Sequence, residues 1–149
     1  MITIEFSDKY SDVADIHDAL YTYNLSKTKR QRIVVHAERY QEQGALLARD
    51  ENGKSFGGIA YHWKNDPRHI FVDFFYLDET IRGTGIGRKL FEMFIPWARE
   101  NGACRIDLTT NTFQAPGFYL KMGFRITGEK PEPSPGCPEN IHYELTLDL

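Results

Sequence analysis

The sequence predicts an α/β fold of the α+β kind: a single domain over residues 1–149 built on one mixed, mostly antiparallel sheet flanked by helices. Three observations lead there. Residues 45–49 and 55–63 read as strands joined by Asp50-Glu51-Asn52-Gly53, a hairpin turn. Residues 70–77, Ile-Phe-Val-Asp-Phe-Phe-Tyr-Leu, are nearly continuous apolar, as a central strand covered on both faces should be. Beyond them the chain runs helix, strand, helix, strand, a pattern of crossovers over a sheet.

Each element has a local reason. Ile2, Ile4 and Phe6 alternate with polar residues and make a short first strand. Ser11 suits the cap of a helix through Val13, Ile16, Leu20 and Tyr21, with Asp12 and Asp15 in its favourable first turn. A basic stretch at 27–32 follows and runs into Ile33-Val34-Val35, too short for its period to assign. After the hairpin, Asn65-Asp66-Pro67 marks a turn. A glycine turn at 82–87 leads from the central strand into a helix over 84–100 that stops at Asn101-Gly102. Pro96 inside it removes one backbone hydrogen bond and should kink its C-terminal half. Residues 104–109 are a strand, 114–122 a short helix stopped by Gly123, 124–127 a strand and 141–147 the last strand. The interval 129–139 holds four prolines and a Gly-Cys pair and reads as a loop.

Composition excludes several functions. With 41% apolar residues, 10 Phe, 8 Tyr and 2 Trp, the chain has ample material for a core and is not disordered. A net charge of −3 argues against a chain-wide nucleic-acid footprint, and the basic run at 27–32 reads as a solvated face. Cys104 and Cys137 form no CxxC spacing, so two free thiols are expected, with no disulfide framework. No segment approaches the ~20 apolar residues of a membrane span, and no basic leader precedes an apolar run, so a cytoplasmic protein without membrane or metal is expected.

The chemistry concentrates in Arg82-Gly83-Thr84-Gly85-Ile86-Gly87, between a strand and a helix. Three alternating glycines let the backbone turn tightly and present N–H groups without Cβ obstruction. Those groups open a helix whose N-terminus favours anions, with Arg82 or Arg88 adding charge, so the turn suits a pyrophosphate. A Walker A loop would need a second glycine where Arg88 stands, and the dinucleotide fingerprint needs its third glycine at that same position. Both fail, which leaves Arg-x-x-Gly-x-Gly.

This turn resembles the acyl-CoA pyrophosphate loop of the GNAT (GCN-related N-acetyltransferase) superfamily. Independently, Phe118-Tyr119-Leu120-Lys121-Met122-Gly123-Phe124 resembles that family's Phe-Tyr-x-Lys-x-Gly-Phe signature. The stretch 109–119, with its Phe-Gln-Ala-x-x-Phe-Tyr run ahead of a Pro-rich hairpin, is similar to a bacterial, small-molecule-type subgroup. The resemblance covers residues 44–124 well and the N-terminal third by topology alone. It implies splayed fourth and fifth strands, with the pantetheine arm of acetyl-CoA pairing to the backbone of Phe75, Tyr76 and Leu77 and the pyrophosphate held by Arg82, Gly83, Thr84, Gly85, Ile86, Gly87 and Arg88. It also implies Asn111 beside the cofactor arm, or as a turn residue; Tyr119 near the sulfur, as general acid or hydrogen-bond donor; and an oxyanion donor N–H near Tyr76 or Leu77.

The base is less defined. Asp73 is the one charge in an apolar run, where burial raises a carboxyl pKa, and it is the candidate; His62, His69 and His142 are rivals. The acceptor pocket is expected from Tyr21, Tyr23, Asn24 and Trp63, with Tyr61 and Phe113 beside them. The expected activity is acetyl transfer from acetyl-CoA to a primary amine of a small molecule by direct attack in a ternary complex. The alternatives are a peptide or protein acceptor, or a non-catalytic CoA-binding module. The resemblance leaves a homodimer open.

Overall fold

The computed structural model describes residues 1–29, 44–66, 68–114 and 116–149, the side chains of Tyr10, Ser11 and Val13 excepted. Its strands are β1 (Thr3–Ser7), β2 (Gly44–Arg49), β3 (Ser55–Trp63), β4 (His69–Leu77), β5 (Arg105–Asn111), β6 (Arg125–Pro131) and β7 (Ile141–Asp148). They form one sheet in the order β1-β2-β3-β4-β5-β7-β6, antiparallel throughout except for the parallel pair β4–β5. Helix α1 (Tyr10–Thr28) covers one face; α2 (Ile86–Glu100) and α3 (Gly117–Lys121) cover the other. Among the described residues no helix is long and apolar enough to cross a membrane.

Alternation sorts the core. In β2, Leu46 joins Leu90, Phe91 and Phe94 of α2, whereas Ala45 and Leu47 meet Ile16 of α1. The β2–β3 turn forms because the Asp50 carboxylate accepts the N–H groups of Asn52 and Lys54 at 2.9 and 3.0 Å while Gly53 takes φ 80°.

Several boundaries differ from the expected ones. The cap of α1 is Lys9, not Ser11; the local hydrogen bonds belong to Ser7, whose hydroxyl donates to Asp12 and accepts the Lys9 N–H. Helix α2 begins at Ile86 because Gly83 and Gly85, at φ 76° and 85°, lie outside the right-handed helical region. It runs through Pro96 to Glu100. The expected helix over 114–122 is divided into a 3-10 turn, Thr112–Gln114, and α3. Strand β5 extends to Asn111, which pairs with His142. The expected loop at 129–139 starts only after Pro131, because Lys130 and Pro131 pair with His142 and Ile141. As β6 is an edge strand, a proline at its end costs no ladder bond. Residues 30–32 of the basic run, Ile33-Val34-Val35 and Pro67 lie outside the described residues.

Two irregularities position the site. On β3–β4 the register passes from Ala60↔Phe74 to Tyr61↔Val72, leaving Asp73 as the extra residue of a β-bulge. Pairing of β4 with β5 runs from His69↔Arg105 to Val72↔Leu108 and stops there. From Asp73 onward the two strands diverge, which is the splay the resemblance implies.

The segment between β6 and β7 is fastened to α1: Gly136 N–H donates to Thr28 O at 3.0 Å and Cys137 Sγ–H to Lys27 O at 3.3 Å. A Cβ on Gly136 would lie 2.0 Å from Lys27 O. Gly136→Ala is therefore expected to detach this segment and to cost about 1–3 kcal/mol in urea unfolding. An unchanged midpoint would contradict the contact.

Candidate active site

The diverging strands open a cleft of about 710 Å³. Strand β4 lines it from Val72 to Leu77, β5 from Leu108 to Asn111, and the glycine turn with Arg82, Gly83, Gly85, Gly87 and Arg88. Leu20, Tyr23 and Asn24 of α1 contribute to its wall, as do Phe113, Gln114, Phe118, Tyr119, Glu132 and His142. Tyr21, Trp63, Thr84 and Ile86 are not among the lining residues. The Trp63 ring instead packs toward Trp97 of α2, 6.3 Å between centroids, on the side that alternation assigns to Tyr61 and Phe94.

The free edge of β4 has a definite polarity. Asp78 N–H donates to Phe56 O on the β3 side at 2.8 Å. Strand alternation then turns the amides of Tyr76 and Phe74 toward β3 as well, and those of Phe75 and Leu77 toward the gap. The side-chain contact Arg82 Nε→Leu77 O, 2.8 Å, agrees. Of the two expected oxyanion donors, Tyr76 therefore faces away from the gap, and Phe75 joins Leu77 in facing it.

At the glycine turn, the backbone N–H groups from Gly83 through Arg88 have no acceptor among the described residues. A Cβ at Gly83 or Gly85 would meet nothing within 4 Å, so these glycines answer to positive φ and to an open approach, not to internal packing. A row of unpartnered amides at the start of a long helix fits a pyrophosphate. Arg82 lies over the rings of Tyr23 and Tyr76, 4.7 and 5.5 Å from their centroids, and ties the turn to α1. Arg88 Nε donates to Glu92 at 2.7 Å on the exposed side of α2.

Tyr119 sits behind the free edge, 7% exposed, against Phe75, Phe91, Phe118 and Phe124 with ring separations of 5.4–6.1 Å. Its hydroxyl has no partner among the described residues. Burial pushes the phenol well above its ordinary pKa, so it is neutral at working pH.

Asp73 lies on the α1 side at the base of the gap. Both its oxygens approach His62 Nδ1, at 2.8 and 3.0 Å. Burial raises its carboxyl above the usual range, against the lowering effect of His62. His69 pairs instead with Asp66, 3.7 Å away, at the far end of β4.

The opposite wall is a polar network that sequence reasoning named only at Asn24, Asn111 and His142. Asn111 Nδ2 donates to Gln114 Oε1 at 3.0 Å, and Gln114 Nε2 to Asn24 Oδ1 at 2.7 Å. Asn140 Nδ2 donates to Asn111 Oδ1 at 3.0 Å. Both ends of the Asn111 amide are thus engaged by protein groups. Glu132 lies in the proline-rich interval and Asn140 directly after it, where no periodicity marks a site; only the β6–β7 pairing brings them here.

Comparison with known proteins matches this architecture. The Acetyltransferase (GNAT) family pattern matches residues 10–124. The chain is 33% identical over 112 residues to blasticidin-S acetyltransferase of Streptomyces morookaense, covering 74% of this chain and 81% of that protein. Spermine/spermidine N(1)-acetyltransferase of Bacillus subtilis is 25% identical over 60% of this chain and 62% of its own. Peptidyl-lysine N-acetyltransferase YjaB of Escherichia coli is 38% identical over 71 residues, 45% of this chain and 44% of that protein. Among solved structures, yncA of Salmonella typhimurium with its cofactor acetyl-CoA superposes with a TM-score of 0.73 at 22% identity, over 100% of this chain and 94% of that one. The glycine turn, the splayed strands and these matches agree: the chain belongs to the acetyltransferase (GNAT) family and is an acetyl-CoA-dependent N-acetyltransferase.

Proposed function

We propose that the enzyme acetylates a primary amine of a small molecule by direct attack in a ternary complex. The observation that carries this reading is the closure of the cleft's acceptor side. Tyr23 Oη donates to Phe113 O at 3.3 Å, Gln114 bonds Asn24, and the segment between β6 and β7 is bonded to the C-terminal end of α1. A peptide or protein acceptor would need an open groove between those elements. The blasticidin-S and polyamine relatives support a small amine, and the partial match to a peptidyl-lysine enzyme makes a peptide the alternative.

Bound acetyl-CoA would supply a thioester carbonyl and a thiolate leaving group. In this reading the amides from Gly83 to Arg88 hold the pyrophosphate, with the charge of Arg82 and Arg88 nearby. The free edge at Phe75, Tyr76 and Leu77 takes the pantetheine arm as an added strand, and the N–H groups of Phe75 and Leu77 serve the carbonyl oxygen. Tyr119 donates a hydrogen bond to the departing sulfur. The Asp73 carboxylate, backed by His62, attracts the acceptor's ammonium to the base of the gap.

The test is thiol release from acetyl-CoA with blasticidin S, spermidine and a lysyl peptide, alongside thermal shift. Acetyl-CoA at 100 times its Kd should stabilise the fold by about 2.7 kcal/mol. Gly85→Val, which forces a β-branched residue to φ 85°, should abolish most of that shift. Turnover of the peptide alone would replace the small-molecule reading. No thermal shift with acetyl-CoA would remove the site assignment.

A further inference from the structure

The polar wall fixes the protonation of one ring nitrogen, starting from groups whose roles allow no choice. Thr112 N–H can only donate, and it donates to Asn140 Oδ1 at 3.0 Å; Glu132 O can only accept, and it accepts from Asn140 Nδ2 at 3.0 Å. The orientation of the Asn140 amide is therefore set by backbone at both ends. Because Asn140 Nδ2 also donates to Asn111 Oδ1, the latter is the oxygen end of Asn111. His142 stands directly across β5–β7 from Asn111. Its Nδ1 is 3.4 Å from that oxygen and 3.3 Å from Glu132 Oε2. Two acceptors flank Nδ1, so the neutral ring carries its proton there and leaves the lone pair on Nε2. Nε2 bonds no described residue, and His142 lines the cleft.

We propose that His142 Nε2 is the general base, taking the proton that the acceptor's ammonium must lose, with Glu132, Asn111 and Asn140 as the residues that hold the ring in its Nδ1–H form. This rests on the acetyl-transfer reading above. The acceptor nitrogen forms its C–N bond as the C–S bond breaks. Of the two protons it gives up, one passes to Nε2 and then to water, and the other ends on the departing sulfur. Asp73, the sequence candidate, is the weaker claimant because both its oxygens already face His62 Nδ1. The other charged groups around His142 are Lys130 and Glu132 from β6 and the segment after it, Glu144 next along the same face of β7, and Asp73 across the cleft.

The first test needs no acceptor. Long-range 1H–15N correlation spectra, assigned with His142→Asn, should show the Nδ1–H tautomer for His142; the Nε2–H tautomer would overturn the proposal. Glu132→Gln puts a group able to donate beside Nδ1 and should bring in the Nε2–H form; an unchanged tautomer would remove Glu132 from its positioning role. The second test uses the thiol-release assay with blasticidin S and spermidine. His142→Asn, whose amide can still donate to Glu132 and Asn111, should lower kcat at pH 7 by about 100-fold. The acetyl-CoA thermal shift should persist, and the defect should shrink toward pH 10 as the amine loses its own proton. A kcat within threefold of wild type at pH 7 would overturn the base assignment. Absence of turnover in the wild type, with the acetyl-CoA shift intact, would count against the small-amine reading, and the tautomer would then decide the base assignment.

Discussion

Tyr119→Phe is expected to lower kcat about 100-fold while leaving the KM for acetyl-CoA within about twofold. The ring is held by Phe75, Phe91, Phe118 and Phe124, and the hydroxyl bonds nothing among the described residues, so the variant should lose no packing and little stability. What it loses, in the mechanism proposed above, is the hydrogen-bond donor to the departing sulfur. Magnitudes decide the form of that donation. A thiol has an ordinary pKa of about 8.5 and a phenol of about 10, and burial pushes Tyr119 higher still. Full proton transfer to the thiolate is therefore uphill by at least about 2 kcal/mol, and a hydrogen bond is the favoured role. The sign for pH dependence follows. A phenol raised by burial stays protonated to beyond its ordinary value, so no alkaline limb below pH 10 should belong to Tyr119. Rate profiles of wild type and Tyr119→Phe should share the same limbs; an alkaline limb lost only in the variant would make Tyr119 an ionising group and contradict the role.

Gly57→Ala should have the largest effect on stability. Gly57 lies in β3 opposite Leu77 with φ 128°, and a Cβ there would sit 2.0 Å from Tyr76 O and 2.9 Å from Leu77 Cα. Both neighbours are backbone, so relief requires β3 to move off β4. Strain and overpacking together amount to about 3–5 kcal/mol, or roughly 10 °C in Tm for a chain of this size. The displaced segment of β4 also carries the Leu77 amide that faces the gap, so acetyl-CoA binding should weaken beyond the loss of stability. Gly53→Ala is the control: φ is 80° but nothing lies within 4 Å of the added Cβ, and only the left-handed strain of about 1–2 kcal/mol remains. Equal midpoints for the two variants would refute the contact argument.

The glycine turn, the apolar central strand and the Phe118–Phe124 signature each lie in contiguous residues, and their physics is local. Positive φ at Gly83 and Gly85, and burial on both faces of β4, follow from neighbouring residue types, which is why the fold class and the use of acetyl-CoA were legible. The boundary differences have two causes. The length of β5 and the extension of β6 to Pro131 were decided by pairing with β7, distant in the sequence, whereas the starts of α1 and α2 answer to local features, the Ser7 hydroxyl and the positive φ of Gly83 and Gly85.

The acceptor side was not legible. Gln114 meets Asn24 across 90 positions, and His142 meets Asn111 across 31. No periodicity carries that information: strand register sets the second pair, and the meeting of α1 with the turn after β5 sets the first. The same holds for the bulge at Asp73, which exists only as a mismatch between β3 and β4. Residue types alone carried the sheet-and-helix class, the glycine turn between strand and helix, and the Phe118–Phe124 run that holds Tyr119. The folded chain was needed to show which amides of β4 face the gap, that Asp73 is paired with His62, and that His142 Nδ1 stands between Asn111 and Glu132. Hydrogen-bond direction between distant strands depends on their register, and register is settled by the packing of the whole sheet.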